Sequence, residues 1–194
     1  MMKKLLFTLL AAAGIAGAAN AQIQKGNVLI GSDISNISFQ LDKPNAFSFN
    51  INPKAAWFIQ DGLAIGGDVN LGIEAPGKGL GTTINYGIGA LGRYYGSKGA
   101  NELVKHSRFF AEATVGINGR NLSGGGSTNG LGLSFGPGFA YFITPNIGLE
   151  TLLKYNGTVG FGSSAYAHGL NLGVGLQIYL PGRATAKKVA NDMN

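Results

Sequence analysis

Ala167-His-Gly-Leu-Asn-Leu-Gly-Val-Gly-Leu-Gln-Ile-Tyr-Leu180 alternates without a break. Leu170, Leu172, Val174, Leu176, Ile178 and Leu180 share one face; Gly169, Asn171, Gly173, Gly175, Gln177 and Tyr179 share the other. A period of two is a β-strand with one apolar face. Six aliphatic residues without a charge suit contact with lipid, and a face of glycine, amide and phenol suits a cramped polar interior. An apolar-out, polar-in strand longer than about nine residues is what a transmembrane β-barrel requires.

Seven further stretches upstream repeat the pattern. Strand one spans about Gly26 to Gln40, with Val28, Ile30 and Ile34 on one face and Ile37, Phe39 and Leu41 at the opposite parity. That slip near Ser35–Asn36 predicts a bulge. The others cover Phe47–Phe58, Leu63–Glu74, Thr82–Tyr95, Arg108–Asn118, Gly130–Ile143 and Ile147–Asn156. Asp61-Gly62 is a strong hairpin signal, and Thr144-Pro145-Asn146 also turns the chain. Arg120 to Asn129, with its Ser-Gly-Gly-Gly-Ser-Thr core, reads as a mobile loop. A single helical turn fits Asn101 to His106. Eight short strands without an amphipathic helix between them predict an all-β, antiparallel, up-and-down transmembrane barrel. Pro53 and Pro137 each delete a ladder donor, and bulges are expected there because a closed barrel has no edge to hold them.

The hairpin Pro53-Lys-Ala-Ala-Trp57-Phe58-Ile59 followed by Leu63-Ala-Ile65 returns 84 residues later as Pro137-Gly-Phe-Ala-Tyr141-Phe142-Ile143 followed by Ile147-Gly-Leu149. The two copies should occupy opposite walls.

Met-Met-Lys-Lys, an apolar run from Leu5 to Ala13, and Ala19-Asn20-Ala21 form a secretory signal over residues 1–21. The barrel then occupies 22–180 and a short basic periplasmic tail 181–194. Lys3 and Lys4 leave with the signal, lowering the formal charge of +6 to +4. That is too dilute for nucleic acid, and no Lys/Arg cluster with interleaved aromatics appears. The chain has no cysteine, so no disulfide or zinc-thiolate chemistry is available to it. Beyond the signal no apolar run approaches the length of a spanning helix, so any membrane crossing uses strands.

Inward parity collects Lys54, Asp68, Arg93, Glu112 and Glu150 into an expected lumen charge network, with Lys154 also inward. An eight-stranded barrel is only just wide enough for its own side chains, so these charges must pair. Leu91, Phe110 and Leu152 read as the only large apolar inward residues. Outward, Trp57, Tyr94, Phe109 and Tyr141 are expected to form an aromatic girdle at the short-turn end, with Phe39, Phe47 and Tyr155 near the other rim. A catalytic reading would need His168 with Ser163 or Ser164 and a rim acid such as Glu74; no fixed spacing ties them, and no enzyme is expected. His106 and His168 fall at opposite ends, so no metal site and no cofactor is expected. Lys98, Lys105, His106, Arg183, Lys187 and Lys188 read as solvated charge on the periplasmic side.

At the signal, the Pro53–Gly66 hairpin, Arg93-Tyr94-Tyr95 and the closing strand, the chain resembles the small eight-stranded outer-membrane barrels of Gram-negative bacteria, the OmpA/OmpX/OmpW-like domains. Asn171-x-Gly173-x-x-Leu176-x-Ile178 is similar to their barrel-insertion signal, although such barrels often end on an aromatic residue and here fourteen residues follow Leu180. The resemblance implies a monomer in the cell outer membrane, with membrane lipid and the barrel-assembly machinery as partners. Its role would be structural or a narrow, porin-like passage. Binding or transport of a small apolar ligand is the alternative, requiring a lateral gap or an apolar lumen; lipid-modifying esterase activity at the rim is a more remote one.

Overall fold

The computed structural model describes residues 23–40, 46–77, 81–96, 106–161 and 166–182. Eight antiparallel strands close into one barrel in sequence order: β1 (Val28–Gln40), β2 (Ala46–Gln60), β3 (Leu63–Ala75), β4 (Thr83–Tyr95), β5 (Ser107–Leu122), β6 (Ser127–Thr144), β7 (Ile147–Gly160) and β8 (Tyr166–Leu180). The expected signal peptide, the tail from residue 183, the turn expected at 42–45, all but His106 of the helical turn expected over 101–106, Ser163 and Ser164 lie outside the described residues. So do Lys98, Lys105, Arg183, Lys187, Lys188 and the side chain of Phe39. The end carrying the β2–β3 and β6–β7 turns is here the inner end, and the opposite mouth the outer end.

The apolar face points away from the lumen on every strand. Leu170, Val174 and Ile178 are 69%, 49% and 40% exposed, whereas Gln177 between them is fully buried. An unbroken belt of exposed aliphatic side chains is untenable in water and is what a hydrocarbon surround requires. Among the described residues no helix is long and apolar enough to cross a membrane; the strands do it.

The parity slip in strand one is a bulge. The β1–β2 register shifts between Ser35 and Ser38, and Asn36 adopts φ 54°. The bulges expected at the prolines do not form. Register is unchanged across Pro53, from Ile51↔Leu71 to Lys54↔Asp68, and across Pro137, from Phe135↔Tyr155 to Gly138↔Leu152. Pairing lapses only on the side of the following strand, while Ser32↔Pro53 and Ala111↔Pro137 hold on the other. Proline removes a donor but adds no residue, and a bulge needs the extra residue.

The 84-residue repeat extends to the ladder itself. Register shifts recur at Phe58/Gln60 and Phe142/Thr144. The Tyr95 amide donates to Gly62 O and the Tyr179 amide to Asn146 O, both at 2.8 Å. In the closed strand order, β2–β3 and β6–β7 stand on opposite walls. At the first of these turns Gly62 sits at φ 77°, a conformation that explains the Asp-Gly pair.

The mobile loop expected over Arg120–Asn129 is largely strand. β5 and β6 pair out to Asn121↔Ser127, leaving only 123–126 as the turn. Glycine-rich composition suggested a linker, but alternating side chains and cross-strand bonding carried the hairpin further.

Candidate functional site

The lumen has three levels. At the inner end lies an apolar floor of Leu29, Phe58, Tyr95, Phe110, Phe142 and Tyr179, all buried; Leu91 and Leu152, of the same buried cluster, lie outward of Arg93 and Glu150 along β4 and β7. Tyr179 sits among Phe58, Tyr95 and Phe142, at ring-centroid distances of 6.3, 6.4 and 5.1 Å. Phe58/Phe142 and Tyr95/Tyr179 are both equivalent positions of the 84-residue repeat, so the two halves each supply one phenylalanine and one tyrosine. Leu29, Phe58 and Phe142 therefore correct the expectation that only Leu91, Phe110 and Leu152 are large, apolar and inward. The chain before β1 braces this floor: Gly62 N donates to Ile23 O at 2.7 Å, and Ile23 packs on the cluster.

Above the floor is the charge network. Arg93 and Glu112 are cross-strand neighbours on the inner face of β4–β5. Arg93 Nε donates to Glu112 Oε2 at 2.9 Å, and Arg93 Nη1 reaches across the lumen to Glu150 Oε2 at 2.7 Å. Lys54 Nζ lies 3.0 Å from both Glu112 oxygens, and Lys154 Nζ 2.9 Å from Oε1. Glu112 therefore meets three cations. Tyr95 and Tyr179 join floor to network: Arg93 Nη1 donates to Tyr95 OH at 2.9 Å, and Tyr179 OH donates to Glu150 Oε1 at 2.6 Å. The Arg93 guanidinium also lies 4.2 Å from the centroid of the Phe110 ring, a cation–π contact. Pairing of this kind is what makes such burial tolerable.

All five residues expected in the lumen network thus face inward and connect, Asp68 more loosely, through Lys154 at 3.6 Å. Asp33 went unnoticed in the sequence. It is buried, pairs with Lys54 and accepts from Gln177 Nε2 at 2.8 Å. Its signal was its parity with Leu29 and Gly31, opposite Ile30 and Ile34. Room for these side chains comes from β6, whose inward residues include Gly132, Gly136 and Gly138. A Cβ at Gly138 would run into the Phe110 ring. Gly138→Val should cost about 1–3 kcal/mol through overpacking, measurable as a lower urea midpoint in detergent micelles.

The outer level is an open vestibule of about 820 Å³, above a small cavity of about 60 Å³ bordered by Asp33, Asp68 and Lys154. Asn50, Asn70, Asn85, Asn118, Asn156 and Asn171 line the vestibule from six strands. Glu74 is satisfied by Arg120 at 3.5 Å and by Asn85 Nδ2 at 2.8 Å. Glu74 and His168 both border this space, but the serines needed for a catalytic arrangement are outside the described residues. Among the described residues, no three His, Asp or Glu converge as metal ligands.

The outward aromatics Trp57, Tyr94, Phe109 and Tyr141 are all exposed near the inner end, with the Phe109 ring 5.1 Å from that of Phe139 and tilted 60° to it. At mid-height Tyr155 packs 5.4 Å from Phe135. Of the proposed insertion-signal residues, Asn171 and Gly173 face the lumen, and Leu176 and Ile178 face out.

Against solved structures, the Neisserial surface protein A (NspA) superposes with a TM-score of 0.55 at 20% identity, over 79% of this chain and 97% of that one. This chain has the fold of the small eight-stranded outer-membrane barrels. That fold, with the exposed apolar belt, places it in the cell outer membrane. The N-terminal β-barrel domain of Pseudomonas aeruginosa OprF (TM-score 0.46, 15% identity, 80% and 98% covered) and Ail of Yersinia pestis (0.46, 16%, 81% and 100%) are also similar. No protein-family model and no curated protein matches the sequence.

Proposed function

We propose that this outer-membrane barrel is a non-enzymatic, structural protein with a blind lumen, open outward and shut inward. The observation that carries this reading is the inner floor, where aromatic rings from opposite walls meet beneath a network with its charges already paired. A narrow passage would need a continuous wet path, and these rings occupy its cross-section. The barrel acts as a monomer in lipid, delivered by the assembly machinery through Asn171, Gly173, Leu176 and Ile178. Trp57, Tyr94, Phe109 and Tyr141 hold its inner rim at the membrane interface.

Purified, refolded protein in planar bilayers is the test. The reading expects silent membranes at any protein concentration. Unitary steps whose frequency rises with added protein would instead establish the narrow-passage role.

A further inference from the structure

Six asparagines of inward parity, one on each of six strands, border the vestibule: Asn50, Asn70, Asn85, Asn118, Asn156 and Asn171. Asparagine is among the residues that strands avoid. A lumen that only had to be wet could be lined with threonine, which strands favour. The choice of residue therefore points to what an amide supplies, two N–H donors and a carbonyl acceptor on one short arm.

The neighbours are arranged to suit those amides. Glycine stands across the ladder from five of the six, in the rungs Asn50↔Gly72, Asn85↔Gly72, Asn70↔Gly87, Asn118↔Gly87, Asn118↔Gly130 and Asn156↔Gly169. A Cβ at Gly72 would meet Asn50 Oδ1, and one at Gly87 would meet Asn118 Oδ1. The glycines thus let amides lie along the wall and keep the bore clear. What remains is the space of about 820 Å³, within the size range of small-molecule pockets. All six asparagines are half-buried, held by the wall and reached by solvent. Water enters past the rim, where the Arg120 and Glu74 side chains are 63% and 51% exposed. That acid and base lie 3.5 Å apart and neutralise each other, so the rim offers a charged ligand no net counter-charge.

We propose that the vestibule is a binding site for an uncharged glycan, entered from the outer mouth. Each hydroxyl of a pyranose both donates and accepts, which matches the amide N–H and C=O groups around the wall. Sulfated or carboxylated sugars are disfavoured, because their anions would be desolvated without a free cation to meet them. The inference goes beyond a structural role. It does not depend on whether the floor conducts, since the site lies above the charge network.

The experiment titrates the ¹⁵N-labelled mature chain in dodecylphosphocholine micelles, a detergent without sugar, and reads the asparagine side-chain NH₂ resonances. Maltotriose, cellotriose and chitotriose are the probes, with a sulfated heparin disaccharide as the charged comparator. At least one neutral trisaccharide should shift Asn70, Asn118 and Asn156 saturably, with half-saturation on the order of 1 mM, the strength of a few net hydrogen bonds. Asn146, in the inner turn, should not move. Asn70→Leu with Asn156→Leu keeps the side-chain volumes and should weaken binding about tenfold. If the double variant does not refold, each single variant should weaken it about threefold. Shifts that stay linear and include Asn146, no saturable shift with any of the three trisaccharides, or unchanged affinity in the leucine variants would each overturn the proposal. So would binding of the sulfated disaccharide as tight as that of the neutral sugars.

Discussion

Replacing Glu112 by alanine should lower the stability of the barrel by about 3–5 kcal/mol, because it leaves buried cations without their shared counter-charge. Glu112 and its partners Lys54 and Arg93 have side chains fully withdrawn from solvent, and Lys154 nearly so. The expected signature is a large drop in the urea midpoint in micelles and loss of the heat-modifiable gel form. Glu112→Gln keeps the volume and part of the hydrogen bonding, and should fall between wild type and alanine. Glu74→Ala is the control. Its pair with Arg120 is half exposed at the outer mouth, so its removal should change stability by less than about 1 kcal/mol. Equal losses for Glu74→Ala and Glu112→Ala would mean that the network is not what braces the lumen.

The second large effect belongs to the floor. Phe58→Ala and Phe142→Ala each remove a buried ring, at a cost of about 3–5 kcal/mol. Both rings contact Tyr179, so the double variant should depart from additivity. It should also thin the inner end, and discrete conductance steps absent from the wild type should appear in planar bilayers. If the double variant is too unstable to refold, Phe142→Leu keeps the fold while loosening the contact with Tyr179, and flickering events are expected in place of steady ones. Silence from every folded floor variant would mean that the charge layer alone seals the lumen.

Most of the architecture was legible because a barrel wall imposes a strict period of two, and this chain obeys it. Even the β1 bulge announced itself, through the change of parity between Ile34 and Ile37. The inward charges followed from the same parity. The apolar floor was harder to see. Phe58 was read as the end of its strand, whereas β2 continues to Gln60, and the face of a terminal residue is easily left unassigned. The repeat held the missing clue, since Phe58/Phe142 and Tyr95/Tyr179 share its 84-residue offset and a symmetric position at one barrel end. The extent of the β1–β8 ladder, which among the described residues runs from Val28↔Leu180 to Ser35↔Gly173, had no counterpart in the sequence. Which rungs form between the first and last strands depends on closure of the whole barrel, not on either strand's composition. The prolines misled for a related reason: a lost donor reads as a defect in one dimension, while in the sheet a single missing rung leaves the register intact.

The decisive measurement is a nitroxide scan along β8, one label at a time from Gly169 to Leu180, reading collisions with oxygen and with a water-soluble nickel chelate in a bilayer. Oxygen accessibility should peak at positions 170, 172, 174, 176, 178 and 180 and fall at every residue between, with nickel contact appearing only at lumen-facing sites toward the outer mouth. Oxygen maxima at 171, 173, 175, 177 and 179 would turn the wall inside out and contradict the account.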